Sequence, residues 1–213
     1  MQLYTYFRSS AAYRVRIALN LKGLAAEETY LHLRKREHLE ADYLTLNPQG
    51  LLPTLIDDDG VTLSQSLAIL EYLDETRPQP PILPGEAAAR ARVRQLAQVV
   101  ACDIHPINNL KVLNYLTNEL GVSDEARVTW YRHWIGQGMT ALERLLADNA
   151  ATGAYCHGDT PTIADICLVP QVYNARRFDT DMAACPTVMR INDACLQLDA
   201  FARAAPDVQP DAE

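Results

Sequence analysis

The hydrophobic periodicity of this chain changes partway along, and the change divides it in two. Through the first 77 residues, short extended stretches sit between helical stripes. Leu3 to Phe7 is aromatic and strand-like; Val15, Ala18 and Leu19 follow at helical spacing, and Lys22-Gly23 closes that helix with a C-cap glycine. From Glu27 to Leu33, Thr29, Leu31 and Leu33 alternate against Tyr30, His32 and Arg34. A polar helical segment is predicted near Glu37 to Thr45, with Glu37-His38 as its solvated start, ending before Asn47-Pro48. Leu51 to Ile56 reads as a strand containing Pro53, which cannot donate to a ladder and so belongs at an edge or an irregular point. Asp57-Asp58-Asp59-Gly60 is a tight turn, and Val61-Thr62-Leu63 begins the returning strand. Ser64-Gln65-Ser66 then opens a helix carrying Leu67, Ile69, Leu70 and Leu73, which stops at Arg77-Pro78. The order β-α-β-α-β-β-α describes a small mixed sheet covered by helices.

Beyond the proline-rich stretch Gln79 to Gly85 nothing reads as a strand. Glu86 to Leu120 is helical in composition and interrupted around His105-Pro106. Asp124 to Leu146 sets Val128, Tyr131, Trp134, Ile135, Met139, Leu142, Leu145 and Leu146 along one stripe. Thr162 to Asp165 is a capping box with Asp in place of Glu, opening a helix to about Arg176. A last helix is predicted from Thr187 to Arg203, followed by a loose polar tail, Pro206 to Glu213. The reading is an α/β domain over 1–78, a linker over 79–85 and an all-α domain over 86–213.

Composition narrows the function more than the fold. With 48% hydrophobic and 22% charged residues the chain is an ordinary globular protein, and no apolar run approaches a membrane span. The N-terminus enters a strand directly, without the basic and apolar regions of a signal peptide, which points to the cytoplasm. Five scattered cysteines without a Cys-x-x-Cys pair make neither a disulfide framework nor a zinc site, and the histidines show no metal-ligand spacing. A net charge of −8 argues against nucleic acid as a partner. An anionic ligand would therefore depend on local basic clusters, Arg8/Arg14/Arg16 and Arg176-Arg177.

The first helix begins where chemistry is easiest to build. Ser9 and Ser10 stand between strand and helix, where unpaired N–H groups and a partial positive charge stabilise an anion. Simple N-capping is the commonest work of a serine there, and these residues alone leave both roles open.

The surrounding motifs resemble a known family. The β-α-β-α-β-β-α domain with Pro53 before its hairpin, followed by a helical domain, resembles the glutathione transferase fold, whose first domain is thioredoxin-like. Ser9-Ser10-x-x-x-Arg14-x-Arg16-Ile17-Ala18-Leu19 looks like the zeta class, the maleylacetoacetate and maleylpyruvate isomerases. Asn47-Pro48 with Leu52-Pro53, Gln65-Ser66-Leu67-Ala68-Ile69, Asp165 in its capping box and Leu168-Val169-Pro170-Gln171 follow the same pattern. One position departs: the motif commonly reads Ser-Ser-Cys, and here Ala11 replaces the cysteine.

The resemblance implies glutathione as cofactor, a small dicarboxylate as substrate and a homodimer. It implies that Ser9, with Ser10 beside it, stabilises the glutathione thiolate. A cis Pro53 would present the backbone of Leu52 to the cysteinyl part, and Gln65 and Ser66 would hold the γ-glutamyl carboxylate. His105 is similar to a glutathione-contacting position, with Asp103 and Asn108 around it. Arg8 and Arg176 would hold the substrate's carboxylates. The implied reaction is cis–trans isomerisation of a maleyl double bond conjugated to a carbonyl, with glutathione regenerated. Asp103 to Asn109 leans toward maleylpyruvate, whereas Phe7 to Ser10 and Gln65 to Ile69 lean toward maleylacetoacetate, which is favoured. A conjugating or dehalogenating transferase is the rival within the class.

Overall fold

Leu3 and Leu55 face one another across the middle of a four-stranded sheet, both fully buried. The computed structural model describes residues 1–213. Strands β1 (Gln2–Thr5), β2 (Glu27–Tyr30), β3 (Thr54–Ile56) and β4 (Thr62–Ser64) lie in the order β2-β1-β3-β4. β1 is parallel to β2 and antiparallel to β3, and β3 is antiparallel to β4. Helices α1 (Ser10–Leu21), α2 (Ala41–Leu46) and α3 (Ser66–Thr76) complete the predicted order, with α1 packed against α3. Gly23, at φ 64, ends α1 as the C-cap pattern requires. Buried Asp57 fastens the hairpin to α3 by accepting from Tyr72 Oη and Arg77 Nη2, both at 2.6 Å. Burial alone would raise its carboxyl, but these bonds and the Asp58 N–H outweigh that and hold it down to about 2.

Three local expectations need correction. Strand β3 begins only at Thr54, after a cis Leu52–Pro53 peptide, because proline has no N–H to join the ladder. The segment read as one helix from Glu37 to Thr45 is a 3₁₀ turn, Glu37–Leu39, followed by α2 from Ala41, and a further 3₁₀ turn, Leu33–Lys35, precedes it. Glu37 folds back to accept the His32 N–H at 2.6 Å, which favours turns over a continuous helix. His38 is half-buried, with burial lowering its pKa, so it is not a solvated helix start.

The largest revision concerns the C-terminus. The chain forms two compact units, and Leu196–Glu213 groups with Met1–Ile82 instead of with the helices of Leu83–Cys195. The predicted last helix is α8 (Pro186–Leu196) and a short α9 (Asp199–Ala202), separated at extended Leu198. The reason is visible on α1. Tyr13 Oη donates to Phe201 O at 3.4 Å, Asn20 Nδ2 to Ala200 O at 3.0 Å, and Arg16 to Ala204 O. The tail is likewise tied down: Gln209 Nε2 donates to Arg203 O and Ala205 O, and Asp211 accepts the Phe7 N–H at 2.9 Å. Those acceptors and donors, invisible to periodicity, replace the loose tail with a docked one.

In the second unit α4 (Ala87–Gln98) runs into a π turn, Val99–Ile104, and a 3₁₀ turn, Pro106–Asn108, before α5 (Leu110–Asn118). The break falls where Pro106 was predicted to place it. Against the π turn runs α6 (Asp124–Ala147), and a Cβ at Gly138 would come within 2.3 Å of Ile104 Cγ1, so this crossing needs glycine. The core helix α7 (Ile163–Arg177) starts on the predicted capping box. Asp165, fully buried, accepts from Thr162 N, Thr162 Oγ1 and Cys156 N, each at 2.8 Å. No helix is long and apolar enough to cross a membrane.

Candidate active site

Ser9 is the N-cap of α1, extended at φ −70 and ψ 110, and its Oγ accepts the Ala12 N–H at 3.2 Å. Capping and catalysis are therefore not exclusive. The bond uses a lone pair, and no protein acceptor takes the hydroxyl hydrogen, which remains to be donated to an anion. The first intrahelical bond, Tyr13 N–H to Ser9 O, leaves the positive end of α1 directed at the same place. Ser10, the first residue of α1, is buried beside it. Arg8 lays its guanidinium over the Phe7 ring, 4.7 Å from the centroid, and stays partly exposed.

The loop before β3 supplies a second element. Leu52 lies outside the ladder, so its backbone is not committed to a neighbouring strand. Two side chains hold this loop by the carbonyl of Leu51: Tyr43 Oη donates to it at 2.6 Å and Asn47 Nδ2 at 2.7 Å. Sequence reading missed Tyr43, whose signal was an aromatic residue on the short polar helix α2.

The start of α3 is the third. Gln65 adopts φ 71, a left-handed conformation disfavoured for a side-chain-bearing residue, and donates to Gln49 Oε1 at 2.8 Å. The first helical bond is Ile69 N–H to Gln65 O, so the N–H groups of Ser66, Leu67 and Ala68 lack helical acceptors. Ser66 is buried, and its Oγ accepts from Arg14 Nη1 at 3.1 Å. A carboxylate fits such a site, which offers a hydroxyl hydrogen and backbone donors together.

The arginine cluster reads differently once folded. Arg14 and Arg16 are 2% and 4% exposed, so only Arg8 remains partly open of the three. Arg16 makes five hydrogen bonds, to Thr5 Oγ1, Tyr6 O, Phe7 O and, from two nitrogens, Ala204 O. Every residue from Ala12 to Leu19 is buried, so the helix is enclosed on all sides there, which its two arginines did not signal.

The remaining predicted residues belong to the second unit. Asp103 and His105 flank the π-to-3₁₀ junction, Asp103 exposed and His105 half-buried, and the His105 N–H donates to Val100 O at 2.9 Å. Asn108 is buried and donates to Tyr131 O at 3.4 Å. Arg176, at the end of α7, pairs with Asp193 at 3.4 Å on the surface, and Arg177 covers the Phe178 ring. Four of the five cysteines are buried, with Cys102 exposed. Burial pushes the thiols of Cys156, Cys185 and Cys195 up, so none of these three is a ready thiolate at neutral pH.

A thioredoxin-like sheet with a serine at the first helix, a cis proline before the hairpin and a third helix that opens on buried Ser66, joined to a helical unit, defines a glutathione transferase. The family model for the glutathione S-transferase N-terminal domain matches residues 8–76, and that for the C-terminal domain matches 129–191. Within that fold the chain belongs to the zeta-class family of maleylacetoacetate and maleylpyruvate isomerases. It is 53% identical to the maleylacetoacetate isomerase of Rhizobium meliloti over 96% of this chain and 95% of that one. It is 49% identical to a maleylpyruvate isomerase of a Ralstonia species over 99% of each. A crystal structure of maleylacetoacetate isomerase from Methylobacterium extorquens AM1, with bound malonate and glutathione, superimposes with a TM-score of 0.97 at 47% identity, covering all of both chains.

Proposed function

We propose that this enzyme isomerises maleylacetoacetate to its fumaryl isomer with glutathione as a regenerated cofactor. The observation that carries the reading is the Ser9 hydroxyl, which caps α1 through a lone pair and keeps its hydrogen for an anion. When bound, glutathione would supply a thiolate able to add reversibly to the alkene carbon, the double bond being single until the same C–S bond breaks, restores the alkene and returns the thiolate. Ser9 and the α1 N-terminus lower the free energy of that thiolate relative to the thiol, about 1.4 kcal/mol for each unit of pKa depression. Ser10 backs Ser9. The backbone of Leu52, beside cis Pro53, faces the cysteinyl part, and Gln65 and Ser66 take the γ-glutamyl carboxylate. His105, Asp103 and Asn108 belong to the same reading as glutathione contacts.

Arg8 and Arg176 hold the substrate's carboxylates, for which a guanidinium is suited by its paired donors. The Arg176 pair with Asp193 is exposed, and such pairs contribute little, so exchanging it for a substrate carboxylate is inexpensive. Arg176→Ala should raise KM for the dicarboxylate about tenfold or more while leaving glutathione affinity nearly unchanged. Equal losses for both ligands would remove Arg176 from the substrate site.

Maleylpyruvate is the second reading, favoured by the Ralstonia relative. Assaying both substrates side by side, while counting glutathione, tests the proposal. Isomerisation of maleylacetoacetate with the larger kcat/KM and no glutathione consumed is the expected result. Stoichiometric loss of glutathione into product would make the enzyme a conjugating transferase instead. A homodimer in the cytoplasm completes the reading, and light scattering on the purified enzyme checks the dimer.

A further inference from the structure

Arg14 is 2% exposed, yet its guanidinium has one protein partner, Ser66 Oγ at 3.1 Å from Nη1. Its Nε and Nη2 are buried without an acceptor, and no carboxylate pairs with it. Two residues further along the same helix, buried Arg16 makes five hydrogen bonds. A buried cation with one neutral partner is a costly arrangement, because desolvation is not offset by an opposite charge.

The position of that charge gives it a use. Arg14 binds a lone pair of Ser66, which fixes the hydroxyl so that its hydrogen is free to point away from the guanidinium. Ser66 is also the first residue of α3, an 11-residue helix whose first three N–H groups lack helical acceptors. A fixed cation and the positive end of a helix thus converge on one buried hydroxyl, where any group bearing negative charge gains from both.

We propose that Arg14 is a positioning residue that makes the start of α3 selective for a carboxylate, acting through Ser66 and by its buried charge without touching the ligand. This rests on the reading that Ser66 holds the γ-glutamyl carboxylate of glutathione. It assigns to Arg14 the discrimination between a charged and a neutral group at that position, whereas Ser66 and the helix N–H groups would accept either.

Calorimetry on the full-length enzyme tests it, with glutathione and an analogue whose γ-glutamyl α-carboxylate is amidated. Wild type should bind glutathione about tenfold or more tighter than the amide, as a charge-assisted contact implies. Arg14→Met and Arg14→Gln should weaken glutathione by about tenfold while changing the amide less than about twofold, so that discrimination collapses; Arg14→Lys should retain most of it. The neutral variants should also fold, since they remove a buried charge that makes one bond. Wild type that fails to bind glutathione, or that binds both ligands alike, overturns the Ser66 reading and this proposal with it. Wild type that discriminates while both neutral variants discriminate equally well overturns the Arg14 assignment alone. So does failure of both neutral variants to fold, which would make the cation structural.

Discussion

Replacing Ser9 with alanine is expected to lower kcat/KM at neutral pH by about 10²-fold, the usual loss when one preorganised donor to a developing or fixed anion is removed. The expectation follows from how the hydroxyl is used. Its lone pair serves the Ala12 N–H and, on the proposed reading, its hydrogen serves the sulfur, so alanine would remove both at once. Loss of the cap alone should cost about 1 kcal/mol of stability, which a thermal melt reads separately. Loss of the hydrogen bond to the thiolate should raise the thiol's apparent pKa by about one to two units. The sign matters for the test. Because the thiolate is the reactive form and its pKa rises, activity should fall most at low pH and recover in part as pH increases. A variant with the wild-type pH profile would show that Ser9 only caps the helix, however large the drop in rate. Cysteine offers no substitute, since Ala11 occupies the family's cysteine position and burial raises the thiols of Cys156, Cys185 and Cys195.

How much of this was legible in the sequence depends on the range of the interaction. The N-terminal order of elements, the Thr162–Asp165 cap and the break at Pro106 are written in residues a few positions apart, and each appears where predicted. The serine cap was legible for the same reason. What periodicity does not carry is pairing across the chain. Arg14 and Ser66 are 52 positions apart, and Arg16 and Ala204 are 188 apart. Read along α1, the two arginines look like surface charge near an anion site. Folded, they are interior: Arg14 bonds Ser66 at the start of α3, and Arg16 bonds the turn before Ser9. The same blindness produced the loose tail: Pro206 to Glu213 is polar, yet Asp211 reaches the Phe7 N–H from 204 positions away. Polar composition predicts disorder only where no buried donor awaits it.

Arg16 carries the second large effect, and here it falls on stability. Both sides of Phe7 are held, its N–H by Asp211 and its carbonyl by Arg16 Nη2 at 3.0 Å. Arg16 Nη1 reaches Thr5 Oγ1 at 3.0 Å and Tyr6 O at 3.4 Å, and the Ser9 N–H returns to Tyr6 O at 2.9 Å. Ser9 is therefore placed by a turn whose backbone is pinned to the C-terminal segment through one guanidinium. Burial lowers the Arg16 pKa to about 10, which still leaves it charged at neutral pH. Arg16→Met should destabilise by about 3–5 kcal/mol, a fall of roughly 10 °C in the thermal midpoint for a protein of this size. A buried ion pair can be replaced by hydrophobic groups at little cost when both partners go. Here the carbonyls of Phe7 and Ala204 stay behind without donors, and that is the source of the penalty. Arg14→Met should not share it, because Arg14 has one partner, the Ser66 hydroxyl. Melts of the two variants side by side decide the matter: a large fall for Arg16→Met and little change for Arg14→Met is the expected pair. Equal falls would mean that Arg14, like Arg16, is needed for stability.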